Sequence, residues 1–176
     1  MHFSITQLDL FDSDSTIYFQ APASHRLRIA TSHFEDNSNL PILRDFVHSI
    51  FSVHTHISMT GLIGYYIGSK RIWDRQYLKN SIKLSNWKET YVHDEEGGRY
   101  IYMTVEGITP QNVYALSKQT AQGWKCSSLA FYMENRVLHI SADVFDLVMT
   151  DERELGNLCS KFYSWVDTYH PNIKTM

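Results

Sequence analysis

Two pairs of β-favouring runs in the second half of the chain, each joined by a short polar turn, constrain the fold more than any other feature of the sequence. Residues 89–93 and 99–105 flank Asp94-Glu95-Glu96-Gly97-Gly98, where the glycines supply the positive φ that a tight turn requires. Residues 129–133 and 137–141 flank Glu134-Asn135-Arg136, and residues 144–149 read as a further strand of the same sheet. Runs joined by so few residues pair antiparallel, because a parallel crossover takes a dozen residues or more. Between the two hairpins Thr109-Pro110 opens a helix that runs to about Gly123, with Val113, Leu116 and Ala121 inward.

In the N-terminal third, Phe3 and Ile5, Ile17 and Phe19, and Leu27 and Ile29 alternate like three short strands of a meander. A helix follows: Ser38 or Asn39 caps it, Pro41 suits its first turn, and Leu43, Phe46, Val47, Ile50 and Phe51 recur at helical spacing. Residues 61–70 favour a strand, since Ile63, Tyr65 and Ile67 alternate. A last helix starts at Thr150 or Asp151. Asp151 and Glu154 have capping-box spacing, Leu155, Leu158, Phe162 and Val166 form its apolar stripe, and His170-Pro171 ends it. Consecutive strands with helices inserted between the runs imply an α+β fold: a single domain over residues 1–176, a largely antiparallel β-sheet with about three to four helices packed on it.

Composition agrees. A chain of 176 residues that is 43% hydrophobic buries roughly two-thirds of its unfolded surface and is too apolar to stay disordered. No repeat and no Pro- or Gly-rich linker divides it. Residues 1–16 carry Asp9, Asp12 and Asp14 without a basic residue, unlike a signal peptide, and the apolar stretch 61–68 is too short to span a membrane. Cys126 and Cys159 lie in different elements and read as separate buried thiols, so a cytoplasmic protein with no membrane contact is expected.

Motifs that carry chemistry are missing. Gly61, Gly64 and Gly68 have neither dinucleotide-loop nor P-loop spacing, and no G-x-S-x-G turn or activated-cysteine pattern occurs. His54 and His56 share a side of an extended segment and begin a metal site, but they lack the further ligands, with His33, Glu35 and His48 the nearest. Asp12 with Asp14, and Glu95 with Glu96, read as turn and loop acids in water rather than as a general acid and base. No catalytic residue and no cofactor are expected.

Charge is segregated instead. Residues 39–90 are net +4 in a chain that is net −3 overall. Arg71, Arg75, Lys79 and Lys83 recur at every fourth position, so a helix over residues 70–83 would align them as a cationic ridge, with Trp73, Tyr77 and Trp87 interleaved. The acidic loop Asp94, Glu95 and Glu96 is a second surface of opposite sign. These ten residues are the expected partner-binding set. They imply a non-enzymatic protein-binding domain, most concretely a bacterial immunity protein that occludes the active site of a cognate toxin such as a nuclease, its carboxylates standing in for phosphate. The alternatives are a nucleic-acid-binding domain using the basic-aromatic segment 70–88 and, third, a metal-dependent hydrolase using His54 and His56.

Overall fold

A computed structural model describes residues 3–12, 15–51, 56–75, 78, 87–124 and 128–167. Eight strands form one sheet in which every neighbouring pair is antiparallel. They are β1 (Arg26–Ala30), β2 (Ile57–Ile67), β3 (Lys70–Trp73), β4 (Trp87–His93), β5 (Arg99–Ile108), β6 (Leu129–Met133), β7 (Arg136–Ile140) and β8 (Val144–Met149). The order is β1-β8-β7-β6-β2-β5-β4. The last residues of β2 leave β6 and pair with β3 instead. The helices are α1 (Ile17–Gln20), α2 (Leu40–Ile50), α3 (Pro110–Ala121) and α4 (Glu152–Lys161), so the fold is α+β.

Alternation along the strands sorts side chains onto two unequal faces. The inner face holds Ile29, Ile101, Met103, Phe131, Leu138 and Leu147. It packs against Phe46 and Val47 of α2, Val113 and Leu116 of α3, and Leu155 and Leu158 of α4. On the outer face a smaller buried apolar cluster, Ala130, Val137 and Val148, is covered by Phe3, Ile5, Ile17 and Ala21 of the N-terminal segment.

That covering role explains the main departure from the sequence reading. Phe3 with Ile5, and Ile17 with Phe19, are not strands, and of the expected meander only β1 forms. Ser4 and Gln7 close a capping box around the 3-10 turn Ile5–Gln7, and Ile17 and Tyr18 are buried in succession in α1 while Phe19 is exposed. The apolar residues of this segment plug a patch rather than line a pleat. The last helix is also shorter than expected. It ends at Lys161, a 3-10 turn Tyr163–Trp165 follows, and Val166 bridges to Ile29 on β1, so Phe162 and Val166 do not share a helix.

Cap details differ as well. Asn39 does not cap α2, because its amide donates to His33 O; Asp36 instead caps the preceding 3-10 turn through Ser38 N. Asp151 accepts from Arg153 N and Glu154 N, but Glu154 turns away to bond Arg136 at 2.8 and 2.9 Å, so only half of the box forms. His170-Pro171 lies outside the described residues. Among the described residues no helix is long and apolar enough to cross a membrane.

Candidate functional site

The β4–β5 hairpin presents different chemistry on its two faces, because successive residues of a strand point to opposite sides of the sheet. Trp87, Glu89 and Tyr91 lie across from Val105, Met103 and Ile101 and therefore belong to the inner face. Arg71 and Trp73 of β3 lie across from Tyr66 and Gly64 of β2, on the same side. The close approach of β3 needs glycine at position 64, since a Cβ there would sit 2.5 Å from Ile72 O. Residues 70–73 are thus strand, not the helix on which a cationic ridge depended, and Arg71 and Arg75 are brought together by the sheet instead.

On this inner face a cation–aromatic cluster runs past the core. The guanidinium carbon of Arg71 is 3.7 Å from the centre of the Trp73 ring, and that of Arg75 is 4.5 Å from Trp73 and 5.3 Å from Trp87. The two indoles are near-parallel with centroids 6.4 Å apart, and Arg99 lies 4.3 Å over Tyr66. Glu89 is the cluster's acid: it accepts from the Tyr91 hydroxyl at 2.7 Å and faces Arg71 Nη2 at 2.9 Å. Tyr91's hydrogen bond, with Arg71 and Arg75 close by, holds the Glu89 carboxyl below its usual range and raises the Tyr91 phenol. The Arg71–Glu89 contact is an ion pair off the hydrogen-bond direction, and Arg71 Nε is buried without an acceptor among the described residues. Trp73 is 41% and Tyr91 48% exposed.

The outer face of the same hairpin is acidic. Asp9, Asp12, Asp94, Glu95 and Glu96 line a cleft of about 750 Å³ floored by Phe11, Leu62, Val92, Tyr100 and Tyr102. The hairpin turn is built around Asp94, which accepts from Gly98 N. Gly97 has φ +86°, whereas Gly98 is required for room, because a Cβ there would collide with the Asp94 carboxylate. The expectation that both glycines supply positive φ therefore holds for Gly97 alone. Tyr100 donates to Asp94, which raises its phenol pKa, and burial raises that of Tyr102. From the opposite wall, Phe11 packs edge-on against Tyr102 at 5.0 Å, Asp9 accepts from Phe11 N, and Asp12 accepts from Ser15 N.

Of the expected site residues, the structure gathers Arg71, Trp73, Arg75 and Trp87 on one face and places Asp94, Glu95 and Glu96 on the cleft behind it. Tyr77, Lys79, Lys83, His54 and Cys126 lie outside the described residues. His56 is exposed, and no group of three or more His, Cys, Asp or Glu able to hold a metal occurs among the described residues. Sequence reasoning missed Asp9 and Asp12 as partners of the hairpin acids, and Glu89, Tyr66, Tyr91 and Arg99 as members of the cluster. The signal for Glu89, Tyr91 and Arg99 was alternation within β4 and β5, and for Tyr66 alternation within β2.

It also missed a polar row on the outer face. Arg28 of β1 donates to both Asp146 oxygens at 2.6 and 2.8 Å, and Asp146 lies across from His139, whose Nε2 is 2.5 Å from Ser128 Oγ. This is not a Ser–His–Asp triad. Asp146 accepts from Arg28 with both oxygens, and His139 Nδ1 is buried with no hydrogen-bond partner among the described residues to orient it. Burial also pushes the His139 imidazole below its ordinary pKa. Cys159 is a free thiol whose pKa is raised by burial, the opposite of an activated nucleophile.

Compared with models of protein families, with curated proteins and with solved structures, the chain matches none.

Proposed function

We propose that the chain is a non-enzymatic binding protein of the cytoplasm that takes a basic element of a protein partner into the cleft between residues 9–12 and the β4–β5 hairpin. Its most concrete form is a bacterial immunity protein whose cognate toxin, for instance a nuclease, presents a basic active-site surface. One observation carries the reading: five carboxylates from two distant segments line a single aromatic-floored cleft.

The physics suits capture of a cation. Asp9, Asp12 and Asp94 are held by backbone N–H donors, so they are oriented before the partner arrives and lose little freedom on binding. Tyr100, Tyr102 and Phe11 supply the rigid amphipathic area that interfaces favour. The carboxylates steer a basic surface at a distance and, once docked, replace the phosphates that such a surface would otherwise bind.

The test is purification of the tagged chain from its own cells, beside a variant carrying Asp9→Asn, Asp12→Asn, Glu95→Gln and Glu96→Gln. Asp94 is left intact because it holds the turn. A stoichiometric basic protein should accompany the original chain and be lost from the variant. A complex that survives all four changes, or the absence of any stoichiometric protein, refutes the reading.

A further inference from the structure

We infer that the cation–aromatic cluster on the inner face, beyond the helices, is a binding site for an unpaired nucleic-acid strand. The inference concerns the face opposite the acidic cleft and does not depend on the function proposed for that cleft.

Three guanidiniums, those of Arg71, Arg75 and Arg99, lie on or beside aromatic rings of β2, β3 and β4. Among the described residues Arg71 pairs with a carboxylate, Glu89, and Arg75 and Arg99 make no such ion pair. The cluster therefore carries a net charge of about +2 from groups fixed by stacking rather than by ion pairs, with rotamer freedom already spent in folding. Tyr91 offers exposed ring surface beside those charges, and the guanidiniums that lie over the Trp73 ring are themselves planar groups on which a base can lie. A single strand needs this combination, because cationic groups follow its phosphates while unstacked bases find aromatic and guanidinium planes to lie on. A duplex hides its base faces, and an acidic peptide uses the charges but gives the rings nothing to stack.

The overall charge of −3 does not oppose this. Five of the acids line the cleft on the other face of the sheet, and the Debye length is only about 8–10 Å at physiological salt. Glu89 does not cancel the site either. It anchors Arg71 and Tyr91 and so fixes the spacing between charge and ring.

The experiment is fluorescence anisotropy of a labelled twelve-residue oligothymidylate titrated with the full chain between 20 and 200 mM salt. Neutralising two to three phosphates predicts an affinity that falls about 25- to 100-fold over that range. The double variant Arg75→Gln/Arg99→Gln, which removes charge without touching the core, should bind at least tenfold more weakly, with a flatter salt dependence. Glu95→Gln/Glu96→Gln on the opposite face should bind as the original chain does, which separates this site from the cleft. No binding at 20 mM salt, or a double variant that binds normally, overturns the inference. So does equal competition by polyglutamate of matched charge, which would make the site a docking point for acidic protein.

Discussion

Replacing Asp146 by alanine should destabilise the fold more than any other single truncation of a polar side chain in the sheet. Asp146 is 0% exposed and Arg28 8% exposed, and the guanidinium reaches both carboxylate oxygens while lying 4.1 Å from the centre of the Tyr18 ring. Burial by itself disfavours the Arg28 charge, yet the hydrogen bonds and charge of Asp146 outweigh it and raise the Arg28 pKa. Without Asp146 the guanidinium stays buried with no carboxylate bonded to it and only the weaker charge of Asp167 nearby, which costs about 3–5 kcal/mol. A total stability of about 5–15 kcal/mol would fall by about a fifth or more, and Tm by at least about 6 °C for a chain of this size. The double variant Arg28→Met/Asp146→Leu removes both charges and keeps the volume, so it should lie within about 2 kcal/mol of the original chain. Urea denaturation followed by tryptophan fluorescence measures all the corners of this cycle at constant m-value. If Asp146→Ala costs less than about 1 kcal/mol, or the double variant is as unstable as the sum of the singles, the pair is not desolvated as the geometry requires.

Three further outcomes test other parts of the structure. His139 is held neutral by burial, so its folded pKa lies below the unfolded value near 6.5; its contribution is intact above that pH and is lost as pH falls toward the folded pKa. The urea midpoint of His139→Gln should therefore decline less between pH 7.5 and 5 than that of the original chain, and parallel declines would contradict this. Gly64→Ala forces a Cβ against Ile72 O and should lose about 1–3 kcal/mol, with β3 detaching first in hydrogen exchange. Asp151→Ala removes the acceptor for Arg153 N and Glu154 N and should lower stability by about 1 kcal/mol in thermal melts, whereas an unchanged Tm would mean that water caps α4 equally well.

Which parts of the fold were legible follows from the range of the forces involved. Strands β4 to β8 and helices α2 and α3 stood out because their apolar periods and turn residues are local. Gly97 and the Thr109-Pro110 start act within a few residues, and each element buries a face that its own sequence displays. The N-terminal segment misled because Ile5 and Ile17 are apolar for a distant reason, the patch of Ala130, Val137 and Val148 that they cover. Residues 70–73 misled for the opposite reason. The four-residue spacing of Arg71 and Arg75 suits a helix, but Gly64 opens β2 to a third neighbour, and pairing across the sheet overrode the local pattern. The cluster residues that were missed, Tyr66, Glu89, Tyr91 and Arg99, sit on strands that were themselves recognised, so they were within reach once strand pairing was known. The cleft was not, since nothing near Asp9 or Asp12 refers to the hairpin some eighty residues later.

Gln20 holds the N-terminal wall of the cleft in shape: its side chain accepts from Asp9 N at 2.8 Å and donates to Asp9 O at 3.0 Å and to Ser15 O at 2.7 Å, tying the turn that carries Asp9, Phe11 and Asp12 to α1. Like charges gathered in one cleft tend to repel one another. Phe11 packing on Tyr102 and the backbone donors to Asp9 and Asp12 offset part of that repulsion. A cation entering the cleft removes the rest. Under the function proposed above, a basic partner bound in the cleft should stabilise the N-terminal segment more than the helices on the inner face.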